Sequence, residues 1–321
     1  MTANRIRTPR IVERVMAYAS LGLPPLFWAG NFIVSRAVRD LTAPLTLLTV
    51  RWVVAFVCLS PFALPIMRRD APRYWQHRWL MLGTALTGIV GFNALIYVGV
   101  RTTTASNALL MNALIPLMIV FFGAIFYRQR LTLAQGAGLI LSLLGVFTLV
   151  LHGQWSQWSA LALVPGDAVV LAAMACFAFY TLWIRRLPAD LDRLGVLGAH
   201  ITIGVCLLLP LWFIAPISAT SAHWTISFAA AALYVGIFPS VLAYLLYMRA
   251  VRFFGAERAG LSIHLIPAFG VILSTLFLHE RLHLWHATGI VAIALGLVCS
   301  SFRQASAPPT NGGDVSHVRE V

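Results

Sequence analysis

PLMIVFFGAIFYRQRLTLAQGAGLILSLLG (residues 116–145) and PAFGVILSTLFLHERLHLWHATGIVAIALG (residues 267–296) are one pattern written twice. Pro116 aligns with Pro267, Arg130-Leu131 with Arg281-Leu282, Gly138 with Gly289 and Gly145 with Gly296, each at an offset of 151. Towards the N-terminus the register drifts. Tyr97 matches Tyr247 at 150, and Arg36 matches Arg185 at 149, as small loop insertions produce. Both copies are apolar and of membrane-spanning length. A duplicated apolar helical unit is the signature of a secondary transporter, whose substrate site lies where the repeats meet.

Composition gives the solvent. Hydrophobic residues make up 60% of the 321 and charged residues 10%, against roughly 25% charged in a soluble chain. Ten runs are long enough to cross about 30 Å of hydrocarbon as helices. They fall near 15–35, 44–65, 79–99, 104–126, 132–151, 165–185, 194–214, 226–248, 256–278 and 284–302. The runs are too long and too rich in Leu, Ala and Gly for barrel strands. The expected fold class is therefore an all-α integral membrane protein of ten helices.

The net charge of +13 invites a nucleic-acid reading, and its distribution removes it. All 23 basic residues are arginine. Eighteen sit on one set of alternate connections and the termini, Arg36, Arg39, Arg101 and Arg281 sit on the other, and Arg51 lies within a span. By the positive-inside rule both termini are expected in the cytoplasm of a bacterial-type inner membrane. The lipid bilayer is the expected partner of the basic arm, and nucleic acid is not. No cleavable signal is expected after the basic start, because a full span with aromatics follows it. Cys58, Cys176, Cys206 and Cys299 fall inside spans without metal-ligand spacing and read as packing residues.

Five spans per copy start the second copy on the opposite side of the membrane. The repeats are then inverted about an axis in the membrane plane. The expected organisation is a basic arm at 1–14, a first repeat at 15–151, an external linker at 152–164, a second repeat at 165–302 and a disordered tail at 303–321.

Several local motifs resemble a known family. Trp28-Ala29-Gly30-Asn31-Phe32 with Arg36, Pro44 followed by Arg51-Trp52 and Ala55, Gly166-Asp167, and Glu280-Arg281-Leu282 with Gly289 and Gly296 are similar to motifs of EamA-type transporters of the drug/metabolite transporter superfamily. The likeness runs from about residue 15 to 302. It implies a ten-helix inner-membrane carrier, usually an exporter of small metabolites, amino acids or drugs. One departure is Gln129, where the second copy has Glu280.

Ionisable groups at membrane depth are functional candidates. Arg51 lies about eight residues into the second span, and the offset of 149 places His200 at the equivalent position of the seventh. The expectation is a basic pair lining a central cavity, facing a carboxylate or an exchangeable proton. Asn107 and Asn112 precede Pro116, and His264 precedes Pro267. Proline frees a helical carbonyl, which is tolerated beside a cavity. The expected substrate-binding set is Asn31, Arg51, Tyr97, Asn112, Tyr180, His200, Tyr244 and His264, with Pro116 and Pro267 as hinges; Trp183 and Tyr247 are further aromatic edges. The ten acidic residues all avoid the middle of a span.

His279-Glu280-Arg281-Leu282-His283 spells the zincin pattern H-E-x-x-H. It falls at a span junction, and the first copy reads Arg128-Gln129-Arg130-Leu131-Thr132, which binds no metal. No metal, cofactor or catalytic residue is expected, and an intramembrane zinc protease is the alternative outside transport. Within transport, the expectation is alternating-access export of a small organic solute. Uptake, passive exchange and lipid flipping are the alternatives.

Overall fold

The computed structural model describes residues 11–99, 102–103, 111–156, 164–216, 220–278 and 282–301. Asn107, Arg101, His279, Glu280 and Arg281, much of the linker and both tails lie outside these. The described chain is helical throughout. Its helices are α1 (Ile11–Ala37), α2 (Pro44–Gln76), α3 (Arg78–Ala85), α4 (Phe92–Gly99), α5 (Ile115–Tyr127), α6 (Leu133–Val150), α7 (Pro165–Ile184), α8 (Arg193–Ile214), α9 (Ile226–Ile237), α10 (Ala243–Phe254), α11 (Ala256–Leu261), α12 (Leu265–Leu278) and α13 (Leu284–Ser301). A π-helical turn, Leu86–Gly91, joins α3 to α4, and a second, Phe238–Leu242, joins α9 to α10. A 3₁₀ turn, Ser262–His264, joins α11 to α12. Among the described residues the one β interaction is an isolated antiparallel bridge, Thr42–Ala222.

Seven of these stretches are long and apolar enough to cross a membrane: Pro44–Gln76, Arg78–Ile96, Leu133–Val150, Pro165–Ile184, Arg193–Ile214, Ile226–Phe254 and Ala256–Phe277. Ile115–Tyr127 and Leu284–Ser300 are shorter apolar helices. α1 runs 27 residues but carries Pro24, Pro25, Asn31 and Arg36. Large apolar side chains such as Phe62, Phe213, Ile226 and Leu284 face outward, the arrangement of a multi-pass membrane protein whose solvent is lipid.

Helix starts follow their sequence. Thr132 Oγ accepts from the Gln135 amide at 3.3 Å and the Gln135 side chain accepts from the Thr132 amide at 2.9 Å, a capping box that opens α6. Asp192 caps α8 through the Leu194 amide at 2.9 Å, and Thr225 caps α9 through the Phe228 amide at 3.2 Å. Asp167 reaches back to the Val164 amide at 2.9 Å and accepts from the Thr103 hydroxyl. The Gly166-Asp167 pair therefore pins α7 to the end of α4, where a Cβ on Gly166 would stand 2.6 Å from the Gly99 carbonyl.

α6 and α13 pack through glycine. A Cβ built on Gly138 would stand 2.5 Å from the Gly296 carbonyl, and one on Gly296 would stand 2.6 Å from the Gly138 carbonyl. Gly145 and Gly289 oppose each other in the same way, at 2.7 and 2.9 Å. Only glycine permits this backbone approach. Elsewhere α2 packs on α8, α4 on α7, α1 on α10 and α12, α5 on α7, α9 on α2 and α3 on α8. The largest buried side chains, Trp52, Tyr180, Tyr244 and Tyr247, collect in the middle of the bundle.

A ring cluster between two π turns

A π turn spaces its hydrogen bonds one residue wider than an α-helix and leaves carbonyls for outside donors. Both π turns among the described residues are used that way. In Leu86–Gly91, the Gly88 carbonyl accepts from the Tyr244 hydroxyl at 2.9 Å, and the Ile89 carbonyl from Asn93 Nδ2 at 2.7 Å. In Phe238–Leu242, the Pro239 carbonyl accepts from Trp28 Nε1 at 3.1 Å. Ser240 Oγ donates to the Val235 carbonyl at 2.6 Å and accepts from Arg51 Nε. Gly88 has no Cβ for a reason: one would lie 2.3 Å from the Tyr180 ring.

The rings between the turns touch in series. Trp28 meets Tyr247 at a centroid distance of 5.4 Å and Phe177 at 5.8 Å. Tyr244 meets both Trp52 and Tyr180 at 5.8 Å, and Tyr180 lies 6.5 Å from the His200 ring. These spacings and tilts are those of edge-to-face aromatic packing. The Arg51 guanidinium lies 5.0 Å from the Trp52 ring.

The Thr84 hydroxyl stands 2.8 and 3.0 Å from the Leu80 and Met81 carbonyls and 2.8 Å from His200 Nε2. Likewise the Thr181 hydroxyl stands 2.9 Å from the Phe177 carbonyl and 2.9 Å from the Tyr247 hydroxyl. Three polar atoms on fully buried rings have no hydrogen-bond partner among the described residues: Trp52 Nε1, the Tyr180 hydroxyl and His200 Nδ1.

Four residues of the expected set, Arg51, Tyr180, His200 and Tyr244, meet in or beside this cluster. Among them, Arg51 and His200 bond different partners. Each takes a hydroxyl, Ser240 and Thr84 respectively, on a helix from the other half of the chain. Asn31 is half-buried on α1, one turn from Trp28. Tyr97 lies on α4, with its side chain outside the described residues. Asn112 is half-buried in the turn ahead of α5.

His264 stands elsewhere. Its Nε2 donates to the Ala113 carbonyl at 2.9 Å and its Nδ1 meets Ser142 Oγ at 2.7 Å, tying α12 to α6 and to the approach of α5. Pro116 and Pro267 occupy the first turns of α5 and α12. The breaks come just before them, in the turn at 113–114 and in Ser262–His264. Proline at a first turn removes no hydrogen bond. Among the described residues no three His, Cys, Asp or Glu side chains stand close enough to hold a metal; His279 and Glu280 lie outside them.

Trp28, Trp52, Asn93, Phe177 and Ser240 belong to the cluster and escaped the sequence reading. Trp28 and Trp52 had a signal, since each stands in a motif beside a polar residue already singled out.

The sequence profile of the EamA-like transporter family matches residues 16–151 and 164–302. The transporter YyaM of Bacillus subtilis is 26% identical over 235 residues, which cover 73% of this chain and 74% of that one. A transporter of Methanothermobacter thermautotrophicus is 27% identical over 295 residues, covering 88% and 85%. One solved crystal structure superposes with a TM-score of 0.72 at 17% identity, over 89% of this chain and 95% of that one, and so has the same fold.

Proposed function

The chain belongs to the EamA-like transporter family, and on that footing we propose a secondary carrier that moves a small organic solute across the inner membrane by alternating access. In this reading ten spans form two inverted repeats of five, both termini are cytoplasmic, and transport is outward. The ring cluster between the π turns is the solute site, with Arg51, Tyr180, His200 and Tyr244 at its centre. Asn31 and Asn112 line the approach, and the breaks ahead of Pro116 and Pro267 act as hinges. His264 holds the hinge of α12 rather than the solute.

The observation that carries the reading is the exchange of partners between halves. Arg51 on α2 bonds a hydroxyl in the α9–α10 span, and His200 on α8 bonds one in the α3–α4 span. By the sequence offset, α2 corresponds to α8, and the two π-interrupted spans correspond to each other. The packing pairs obey the same exchange: α4 on α7 becomes α10 on α1, α5 on α7 becomes α12 on α1, and α9 on α2 becomes α3 on α8. Two halves that swap roles this way suit a carrier whose states interconvert by exchanging the halves' conformations.

The test is solute counterflow into liposomes holding the purified chain, over a panel of amino acids, organic acids, amines and sugars. At least one class should exchange above protein-free liposomes, and Arg51→Lys should reduce that exchange at unchanged folded yield. No exchange by well-folded protein across the panel would refute a carrier.

A further inference from the structure

Gln129 stands where the second copy has Glu280, and its side chain joins the two halves of the chain. The amide nitrogen donates to Glu257 Oε1 at 2.8 Å and the amide oxygen accepts from Arg185 Nη1 at 3.1 Å, the orientation in which both atoms find partners. Gln129 lies between α5 and α6, in the first half. Arg185 closes α7 and Glu257 lies in the first turn of α11, both in the second. Arg185 and Glu257 by themselves are 3.9 Å apart, on side chains 48% and 23% exposed. That separation is too long for a hydrogen bond, and so exposed a pair holds weakly. The amide fills the gap and turns one loose ion pair into two hydrogen bonds to charged groups.

The backbone is bent to place both ends. α5 stops at Arg128, in the left-handed region at φ 52°, and the Arg128 and Gln129 amides donate to the Ala124 and Gly123 carbonyls, each at 3.1 Å. Such a closing turn favours glycine at its left-handed position. Here arginine holds it, and the turn folds Gln129 back over α5. A Cβ on Gly123 would stand 2.4 Å from the Gln129 side-chain amide. On the other side Gly255, at φ 86°, turns the chain into α11, and a Cβ there would stand 3.1 Å from Glu257 Oε2. The duplication adds a second argument. The offset of 151 carries Gln129 onto Glu280 and Glu257 onto Ser106, and Arg185 matches Arg36. Each set of three positions keeps one arginine and one carboxylate, and only the seat of the carboxylate differs.

We propose that Gln129, Arg185 and Glu257 form a latch that holds the two halves together at the arginine-rich end, and that parts when the ring cluster opens on that side. The proposal rests on the reading of the chain as an alternating-access carrier. Gln129 is neutral because Glu257 already supplies the carboxylate, and a second one in its place would repel the first.

The experiment measures a distance across the latch in the full chain, in lipid nanodiscs, by pulsed electron paramagnetic resonance. Cys58, Cys176, Cys206 and Cys299 are replaced by Ala, and nitroxides are attached at Leu133→Cys on α6 and Phe253→Cys on α10, both exposed positions. This parent should show mainly the shorter distance. Glu257→Gln and Arg185→Gln should each raise the ratio of the longer to the shorter population about fivefold, one partly shielded hydrogen bond's worth. Gln129→Glu should do the same, by setting two carboxylates against each other. Adding Glu257→Gln to Gln129→Glu should return the distribution to that of the parent, since carboxylate and amide have then only exchanged places. One substitution thus opens the parent and closes the variant, which a loss of packing does not do. If Glu257→Gln alone gives no folded protein, Arg185→Gln and the Gln129→Glu comparison carry the same test. An unmoved distance in every folded variant would overturn the proposal, as would additive opening in the double variant. Solute exchange in liposomes is followed alongside. Exchange by the parent with unmoved distances sinks the latch and leaves the carrier reading standing. The expected shifts without exchange of any solute sink the carrier reading and leave the tie between the halves.

Discussion

The two ends of α2 do the same job with different chemistry. The helix runs 33 residues, about 50 Å at 1.5 Å per residue, and is tied to the other half of the chain at both ends. At its start the Ala43 amide donates to the Ser221 carbonyl and the His223 amide to the Leu41 carbonyl, each at 2.7 Å, around the Thr42–Ala222 bridge. Thr46, wholly buried, donates to the Thr220 carbonyl at 2.8 Å and accepts from Trp212 Nε1 at 2.9 Å. At its far end the tie is an ion pair, Arg73 with Asp190, on side chains 38% and 68% exposed. The repeat offset of 149 carries Thr42 onto Leu191 and Arg73 onto Ala222, so the two ties are equivalent positions of the duplicated unit. One became a neutral, partly buried backbone clasp, and the other a solvated charge pair. A neutral buried clasp is insensitive to salt and costly to break. An exposed ion pair is weak, and screened by salt. On this comparison, the arginine-rich end is the easier one to open.

The strongest way to break the comparison is Thr46→Val. The swap keeps the shape and leaves the Thr220 carbonyl and the Trp212 N–H without their shared partner, a loss of about 1–3 kcal/mol. Thermal unfolding in detergent should show a clear drop in midpoint, the same at 0.05 and 1 M NaCl. A drop that disappears in high salt would mean that the clasp is electrostatic and the contrast false.

The sequence carried the frame of this contrast but not its chemistry. Hydrophobic run length marked an all-helical membrane chain, and the spacing of landmarks marked the two stretches that the family profile matches. It also singled out Arg51 and His200, since ionisable groups are rare in apolar runs. It could not say that their hydroxyl partners are Ser240 and Thr84. That depends on how neighbouring helices are rotated, and rotation leaves no trace in the period of a nearly all-apolar helix. The π turn at Leu86–Gly91 was equally hidden: it has no proline, only Gly88 and Gly91. Nor could the sequence show that His264, three residues before a proline, bonds Ser142 and the Ala113 carbonyl.

A smaller effect sharpens the contrast at the far end. Asp190→Asn and Arg73→Gln each remove one charge of the exposed pair. Both variants should melt close to wild type, with a deficit well below that of Thr46→Val. The deficit should be visible at 0.05 M NaCl and gone at 1 M, where the screening length falls to about 3 Å. The double variant should behave like either single one, because the second substitution has no pair left to break. A salt-independent loss, or additive losses in the double variant, would show that these side chains stabilise by packing and not by charge.

The smallest effect is the response to acid. The Arg73 hydrogen bond holds the Asp190 carboxyl below its ordinary 3.8. A carboxylate with a depressed folded-state value stabilises the fold above the unfolded value and loses that contribution as pH falls through the folded one. The ion pair should therefore be indifferent to pH from neutrality down to about 5, and should weaken only as the medium passes below 3.8. The bonds of the clasp around Thr46 run between backbone and hydroxyl groups, with no ion pair among them, and should survive acid. Hydrogen exchange followed at pH 6 and pH 2, corrected for intrinsic rates, separates the two. Protection of the Ala43 and His223 amides should hold at both values, while amides at the end of α2 and at the start of α8 should lose protection only at the lower one. Asp190→Asn should show the lowered protection already at pH 6 and no further change at pH 2. If the variant still responds to acid like wild type, another carboxylate governs that end, and Asp70, which accepts from Arg69 at 2.9 Å beside it, is the group to neutralise next.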